Sequence, residues 1–101
     1  MRLIGRDKAI EFLAQHRHAP WGAELRAFLC ELTNRIWTDA GDLMRDYPDM
    51  RVKRSEAVFP IAGARIFVFC QINLERGLIL LQRLVLARSR VASREASEDA
   101  A

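Results

Sequence analysis

The sequence predicts an α+β domain in which two N-terminal α-helices pack on one face of an antiparallel or mixed β-sheet of about four to five strands. Apolar residues recur at three- and four-residue steps as far as Pro48, as expected for amphipathic helices. Beyond Pro48 the spacing changes to every second residue, which is typical of strands. Helices followed by strands, rather than alternating with them, favour the α+β class.

The first predicted elements are a short strand and a short helix. Residues 2–4 are apolar enough for an opening strand, and Asp7 is placed to cap the helix that follows. The inward face of this helix is predicted to carry Ile10, Leu13 and Ala14. His16 and His18 fall at its polar end, and we expect solvated side chains there because no third metal ligand lies close in sequence.

The longest predicted helix begins at Pro20, since proline is tolerated in a first helical turn. Its apolar positions recur at helical spacing and are Trp21, Leu25, Phe28, Leu32 and Ile36. A short third helix is predicted between the capping residue Asp39 and Pro48. Trp21 and Trp37 are expected to pack in or beside the core.

The second half of the chain predicts a meander of strands. Two short extended pieces, 50–54 and 56–61, precede a turn at Ala62 and Gly63. In the next strand the predicted core face carries Ile66, Val68, Cys70, Ile72 and Leu74, and the opposite face carries Arg65, Phe67, Phe69, Gln71 and Asn73. A short hairpin connection then leads into 78–86, which is apolar on both faces.

Length and charge restrict the functional classes. A chain of 101 residues fits one domain, which we place at 1–91 and follow with a flexible tail at 92–101. The net charge is +3, and Glu75 is the only carboxylate between Ala57 and Arg94, a span that contains six arginines. This basic half favours an anionic or acidic partner, without choosing between nucleic acid and protein.

The cysteines and the apolar segments indicate the cellular compartment of the protein. Cys30 and Cys70 lie in apolar runs and are expected to be reduced core residues, not part of a disulfide framework or a metal site. The N-terminus lacks the apolar segment of a secretion signal, and 78–86 is too short to span a bilayer. We therefore expect a cytoplasmic protein without a membrane partner.

Several short sequence motifs occur in an order known from one protein family. They are MRLIGRDKAIEF at the start, Trp37 followed by Asp42-Leu43 and Tyr47-Pro48, VFPIAG at 58–63, and QINLERGLI at 71–79. In this order and spacing the chain resembles the host-inhibition-of-growth (HigB) toxins of bacterial type II toxin-antitoxin systems, within the RelE-like superfamily. The resemblance covers about residues 1 to 86.

This resemblance implies a RelE-like fold and a ribosome-associated mRNA endoribonuclease that inhibits translation and needs neither metal nor cofactor. It also implies a partner, a helix-turn-helix antitoxin encoded beside the toxin, with which it forms a hetero-oligomer. In such enzymes the 2′-hydroxyl of the RNA attacks the next phosphate. The protein must then supply a base, an acid and cations around the phosphorane.

The family usually carries an arginine in the long strand, another in the final strand, and a Thr-His-x-x-Tyr phrase after it. An ungapped comparison places at these positions Phe67, Gln82, Leu86, Ala87 and Arg90. The departure matters because histidine is suited to proton transfer near neutral pH, whereas arginine binds phosphate but barely transfers protons. A bulge of one residue would bring Arg83 into the place of Gln82.

These considerations give the candidate site residues. The candidate catalytic residues are Arg65 and Arg83, and the candidate RNA-binding residues are Lys53, Arg54, Arg88 and Arg90. On regular alternation, the face with Phe67 and Phe69 also receives Leu80, Leu84 and Leu86 from the next strand. An apolar face of this extent needs a cover, which is a protein partner, a second copy, or the chain's own third helix or tail. The candidate partner-binding residues are Phe67, Phe69, Leu84 and Leu86.

Three functional hypotheses follow. The first is a HigB-like toxin that cleaves mRNA. The second is a catalytically lapsed relative that binds its antitoxin or itself, because the proton-transfer residues are replaced and the sheet face is apolar. The third is a structural domain whose arginines form only a solvated rim.

Overall fold

The computed structural model describes residues 1–54 and 56–87. Within them the chain forms, in order, β1 (Arg2–Ile4), α1 (Arg6–Gln15), α2 (Gly22–Asn34), α3 (Ala40–Asp46), β2 (Arg51–Lys53), β3 (Glu56–Ile61), β4 (Ile66–Asn73) and β5 (Leu78–Leu86). The predicted α+β class is confirmed. Arg88, Arg90 and the predicted tail at 92–101 lie outside the described residues.

One five-stranded sheet has the strand order β1-β5-β4-β3-β2. The strands β2 to β5 form an antiparallel meander, as predicted, and β1 joins the free edge of β5 in parallel, which makes the sheet mixed. Hairpins can join antiparallel neighbours, whereas a parallel pair needs a longer connection. Here the helices and the other strands provide it, because β1 and β5 lie at opposite ends of the chain.

The helices cover one face of the sheet. Its side chains alternate, and those that point toward the helices include seven buried residues: Ala57, Phe59, Ile66, Val68, Cys70, Ile79 and Leu81. The rings of Phe28 on α2 and Phe59 on β3 are 5.1 Å apart, which joins the two layers. Each buried large apolar side chain of this kind stabilises the fold by about 1.5 to 3 kcal/mol. The predicted core face of β4 is confirmed.

The segment after α2 is fixed to the core by aromatic and polar contacts. Asp39 caps α3 as predicted, because its side chain accepts a hydrogen bond of 2.8 Å from the backbone N–H of Asp42. Trp37 is buried, and its Nε1–H donates to the Asp46 carboxylate at 2.8 Å. The Tyr47 hydroxyl donates to Glu31 on α2 at 2.6 Å, and its ring packs edge-on against Phe59. These contacts orient the chain that enters β2.

The start of α1 differs from the prediction. Asp7 lies in the first turn, and the N-cap residue is Gly5 with φ of 90°, which adds no side-chain cap. A Cβ atom at Gly5 would lie 2.6 Å from the carbonyl oxygen of Leu81, so only glycine fits between β1 and α1 at this point. Ile10 is 60% exposed, and Ala9 is the buried residue of this helix. The close approach to β5 fixes a helix rotation that apolar spacing alone did not reveal.

Two other expectations about α2 were wrong. Ile36 is 81% exposed, because α2 ends at Asn34 and the chain is extended at Arg35. Cys30 is exposed on α2, whereas Cys70 is buried as expected, and both cysteines are free thiols. The predicted positions of Trp21 and Trp37 in the core are confirmed. Among residues 1–54 and 56–87, none of the helices has the length and apolar character needed to cross a membrane.

Candidate functional site

A β-bulge in β5 decides which residues face away from the helices. Cys70 pairs with Leu81, but the next residue of β4, Phe69, pairs with Arg83, so Gln82 is an extra residue in β5. In a strand without the bulge, Gln82 would stand opposite Phe69. Bulges of this kind re-aim the side chains that follow them. The bulge therefore gives Arg83 the position that regular alternation assigns to Gln82.

Arg83 and Phe69 are in direct contact. The guanidinium carbon of Arg83 lies 3.9 Å from the centre of the Phe69 ring. A cation above an aromatic face is attracted by the ring quadrupole, which contributes about 0.5 to 1 kcal/mol at an exposed site. Arg83 is otherwise exposed, so the ring restrains its side chain while the N–H donors remain accessible.

We call the sheet surface opposite the helices the open face. Directly paired residues share a face, so the pairing assigns its apolar members, which are Ile4, Val58, Pro60, Phe67, Phe69, Leu78, Leu80 and Val85. By the same rule, the charged members of the open face are Arg2, Arg51, Lys53, Glu56 and Arg83. Four basic side chains against one carboxylate make the open face cationic as well as apolar.

The pairing corrects two of the predicted partner-binding residues. Leu84 pairs with Val68 and Leu86 pairs with Ile66, which both point toward the helices. Leu84 packs against the core, and the expectation that Leu84 and Leu86 lie on the open face is wrong. The reason is the bulge, which shifts the alternation of β5 by one residue after Leu81. Val85 takes their place opposite Phe67 and is 39% exposed.

The two candidate catalytic arginines are not neighbours. Arg65 is in the turn before β4, where its backbone N–H donates to Ile61 at 3.1 Å. Phe69, the partner of Arg83, lies four positions further along the chain, which corresponds to about 13 Å along a strand. Both side chains are long enough to reach one bound strand of RNA from two positions.

The other basic candidates diverge. Lys53 ends the edge strand β2 and lies on the open face opposite Glu56. Arg54 follows it in a left-handed conformation, with φ of 59°, and lines a small apolar pocket on the helix side that also contains Leu43 and Ile72. Only Lys53 of this pair therefore shares a face with Arg83.

Groups suited to proton transfer lie mostly elsewhere. His16 contacts the rings of Phe12 and Trp21 in the helical layer, and its Nδ1 is 2.9 Å from the carbonyl oxygen of Phe12. Burial, and then the hydrogen bond to Glu31, raise the pKa of Tyr47 well above its ordinary value of 10.0. Neither residue faces the open side. Within the part of the chain described, Glu56 is the carboxylate that the pairing places among the basic residues of the open face.

Sequence reasoning found Arg83, Phe67, Phe69 and Lys53 but missed Arg2, Arg51 and Glu56. Their alternation within short strands was visible, since Arg51 and Lys53 have the same parity and flank Val52. What the sequence did not give is the neighbour of each strand. The parallel pairing of β1 with β5 is what brings Arg2 to this face.

Comparison with protein-family models finds no match, and comparison with curated proteins finds no match either. Among residues 1–54 and 56–87, no group of three or more His, Cys, Asp or Glu side chains is arranged to hold a metal ion.

Proposed function

We propose that this protein is the toxin of a bacterial type II toxin-antitoxin system and cleaves ribosome-bound mRNA as a RelE-like, metal-independent endoribonuclease. The observation that carries the proposal is the placement of Arg83 over Phe69 on a cationic and aromatic sheet face. Basic side chains beside aromatic rings are the combination with which proteins bind single-stranded nucleic acid, because phosphates and bases are held together. The ordered family phrases support the same reading.

The chemistry assigned to Arg83 is charge stabilisation. When the 2′-hydroxyl attacks the adjacent phosphate, negative charge grows on the equatorial oxygens of the phosphorane. A guanidinium can donate two parallel hydrogen bonds to such oxygens, and it stays charged at every physiological pH. The Phe69 ring limits the orientations of Arg83 before RNA binds, which reduces the entropy lost on binding.

Proton transfer requires another group, and Glu56 is our candidate. It is half-buried on β3, opposite Gln71 on one side and Lys53 on the other. A carboxylate at this position can accept the proton of the 2′-hydroxyl and return it to the 5′-oxygen as the bond between phosphorus and that oxygen breaks, while Lys53 stabilises the negative charge nearby. The site would thus combine a base from β3 with cations from β2 and β5.

Expression of the chain alone in a bacterium tests the proposal. Growth and the 5′ ends of transcripts are followed after induction of the wild type, of Arg83→Ala and of Glu56→Gln. We expect growth arrest and new transcript ends with the wild type, and loss of both with either variant. Arg17→Ala, an exposed arginine beyond α1, is the matched control and should arrest growth like the wild type. Normal growth with intact transcripts in the wild type would contradict the proposal.

The apolar part of the open face favours a second candidate function, a catalytically lapsed antitoxin-binding module. Leu80 and Val85 are 37% and 39% exposed and lie on the same face as Phe67. A helix-turn-helix antitoxin encoded beside the gene could cover these side chains with an amphipathic helix or an extended segment.

Binding of that antitoxin separates the two candidates. Phe67→Asp should abolish the complex while the circular dichroism spectrum remains that of a folded domain, because Phe67 faces away from the core. A binding module predicts a complex without growth arrest, whereas a toxin predicts both. A complex that tolerates Phe67→Asp would exclude this face as the antitoxin site.

A further inference from the structure

A pocket lies at the end of the open face next to Phe67. Its volume is about 620 Å³, and it opens between the segment that follows Pro48 and the turn that follows β3. This volume is within the range of pockets that hold small molecules or single nucleotide units. The residues whose chemistry matters here are Asp49, Arg51, Pro60 and Phe67.

The two walls of the pocket are held in place. Met50 is buried in the core, and its backbone N–H donates to the carbonyl oxygen of Tyr47 at 3.0 Å. On the other side, Ala62, Gly63 and Ala64 are all left-handed, with φ of 57°, 65° and 66°. A run of left-handed residues that includes two alanines is strained, and strain of this kind often accompanies binding sites.

The lining combines three kinds of interaction. Phe67 offers an aromatic surface, and Arg51 adds a positive charge at the rim. Asp49 adds two carboxylate oxygens. The ion pairs within residues 1–54 and 56–87 are Arg35–Asp46 and Arg45–Asp42, so neither Asp49 nor Arg51 has an ion-pair partner there.

These groups match a nucleotide. Bases stack on aromatic side chains and are read through the donors and acceptors on their edges when RNA is single-stranded. Phe67 and Phe69 are two residues apart on one face of β4, so their side chains are about 7 Å apart along the strand. A strand of RNA whose phosphate is held at Arg83 can therefore place a neighbouring base against Phe67.

We propose that this pocket binds one base of the RNA and selects guanine, with Phe67 as the stacking surface and Asp49 as the acceptor. This inference rests on the proposed RNA-binding function. Guanine presents two adjacent donors, N1–H and the exocyclic amino group, which match the two oxygens of a carboxylate. Adenine and cytosine present an amino group beside an acceptor, and uracil presents one N–H between two acceptors, so each leaves one carboxylate oxygen unpaired or repelled.

Fluorescence anisotropy with four labelled RNA pentamers tests the inference. The pentamers carry guanine, adenine, cytosine or uracil at the centre of a uridine sequence, and 2′-fluoro groups prevent cleavage. We expect the guanine pentamer to bind about tenfold more tightly than the others, the discrimination of a good bidentate contact. Asp49→Asn replaces one acceptor by a donor and should remove this preference while the other three affinities change little.

Two further variants make the test specific. Glu11→Gln is the matched carboxylate-to-amide control on α1, in the helical layer, and should retain the guanine preference. Phe67→Leu keeps an apolar side chain without a ring and should weaken binding of the guanine pentamer. Binding of all four pentamers without preference, or a preference that survives in Asp49→Asn, overturns the inference but leaves the proposed function intact. Failure of the wild type to bind any pentamer overturns the inference, whereas the proposed function is decided separately by growth arrest and transcript ends.

Discussion

Arg83 on β5 stands directly opposite Phe69 on β4, and its guanidinium carbon lies 3.9 Å from the centre of the Phe69 ring. The contact exists because Gln82 is accommodated as an extra residue between two regular stretches of pairing. It joins Arg83, the basic residue of β5, to the aromatic side chains of β4, Phe67 and Phe69. The contact lies at the centre of the cationic open face.

The first prediction concerns the salt dependence of RNA binding. Loss of one phosphate contact in Arg83→Ala should lower the slope of log K against log salt concentration by about 0.7, the value for one phosphate of a single strand. Arg83→Lys should keep most of the slope, because the charge remains. The measurement is anisotropy of an uncleavable RNA over a salt series. An unchanged slope in Arg83→Ala would show that this side chain does not contact phosphate.

The second prediction concerns stability at alkaline pH. Burial raises the pKa of the Cys70 thiol from 9.0 to about 12. The folded state therefore keeps the thiol neutral, while the unfolded state loses the proton first. Stability from this group is complete below about pH 9 and is lost as the pH rises toward 12, by at most roughly 1.4 kcal/mol per pH unit.

Urea unfolding midpoints across this range measure the effect. Cys70→Ala removes the titrating group without adding volume to the core and should flatten the alkaline decline. The raised pKa of Tyr47, caused first by burial and then by Glu31, acts in the same direction above its ordinary value of 10.0. Tyr47→Phe should therefore remove a further part of the decline. A decline that is equally steep in both variants would contradict these assignments.

The third prediction concerns acid. The hydrogen bond from Trp37, at 2.8 Å, and then the one from Arg35, at 2.9 Å, hold the pKa of Asp46 below its ordinary value of 3.8. A carboxylate with a lowered pKa stabilises the fold above that ordinary value, and the contribution is lost as the pH falls through the lowered pKa. The Asp46→Asn variant should have a lower free energy of unfolding at neutral pH, and this free energy should fall less on acidification. Tryptophan fluorescence during acid unfolding reports the difference.

The fourth prediction concerns the bulge itself. The side-chain oxygen of Gln82 is buried and has no hydrogen-bond partner within the described residues. An unpaired buried polar group costs about 1 to 3 kcal/mol, so Gln82→Met, which keeps the shape, should raise the free energy of unfolding by about 1 kcal/mol. Gln71→Met, at an exposed position of β4, is the control and should change it by less than about 0.5 kcal/mol. Thermal unfolding of both variants makes the comparison.

The fifth prediction concerns the left-handed turn. Ala64 has φ of 66° and an exposed side chain, so Ala64→Gly removes backbone strain without removing a core contact. Glycine has more conformational entropy in the unfolded chain, which offsets part of this effect. The free energy of unfolding should therefore rise by about 0.5 to 1 kcal/mol. Ala27→Gly in the middle of α2 should have the opposite sign and cost about 1 kcal/mol. Destabilisation by both substitutions would mean that the turn is not strained at Ala64.

Much of the fold could be predicted because the spacing of the apolar residues indicates which side chains are buried. The alternation of β4 places Val68 and Cys70 in the core without reference to any other segment. The predicted face of α1 was right at Leu13, which packs against the core, and wrong at Ile10 and Ala14, which are exposed. The rotation of the helix depends on the contact between Gly5 and Leu81, which are far apart in sequence. Long-range contacts of this kind have no local signal.

The candidate site was predictable only in part for a related reason. The sequence of β5 is apolar on both faces, so alternation could not show where the register changes. Regular counting placed Leu84 and Leu86 on the open face, whereas the bulge turns them toward the helices. Arg83 could be proposed from the sequence only as the outcome of a bulge, and the strand pairing supplies that bulge.

The extra residue at Gln82 also affects how this chain should be aligned with others. Because deletion of Gln82 would restore regular pairing and leave every later side chain of β5 on its present face, this position is one where the gene can gain or lose a codon without exchanging the surfaces of the sheet. An alignment that allows no gap here shifts every residue from Arg83 onward by one structural position, so that residues on opposite faces of the sheet are compared.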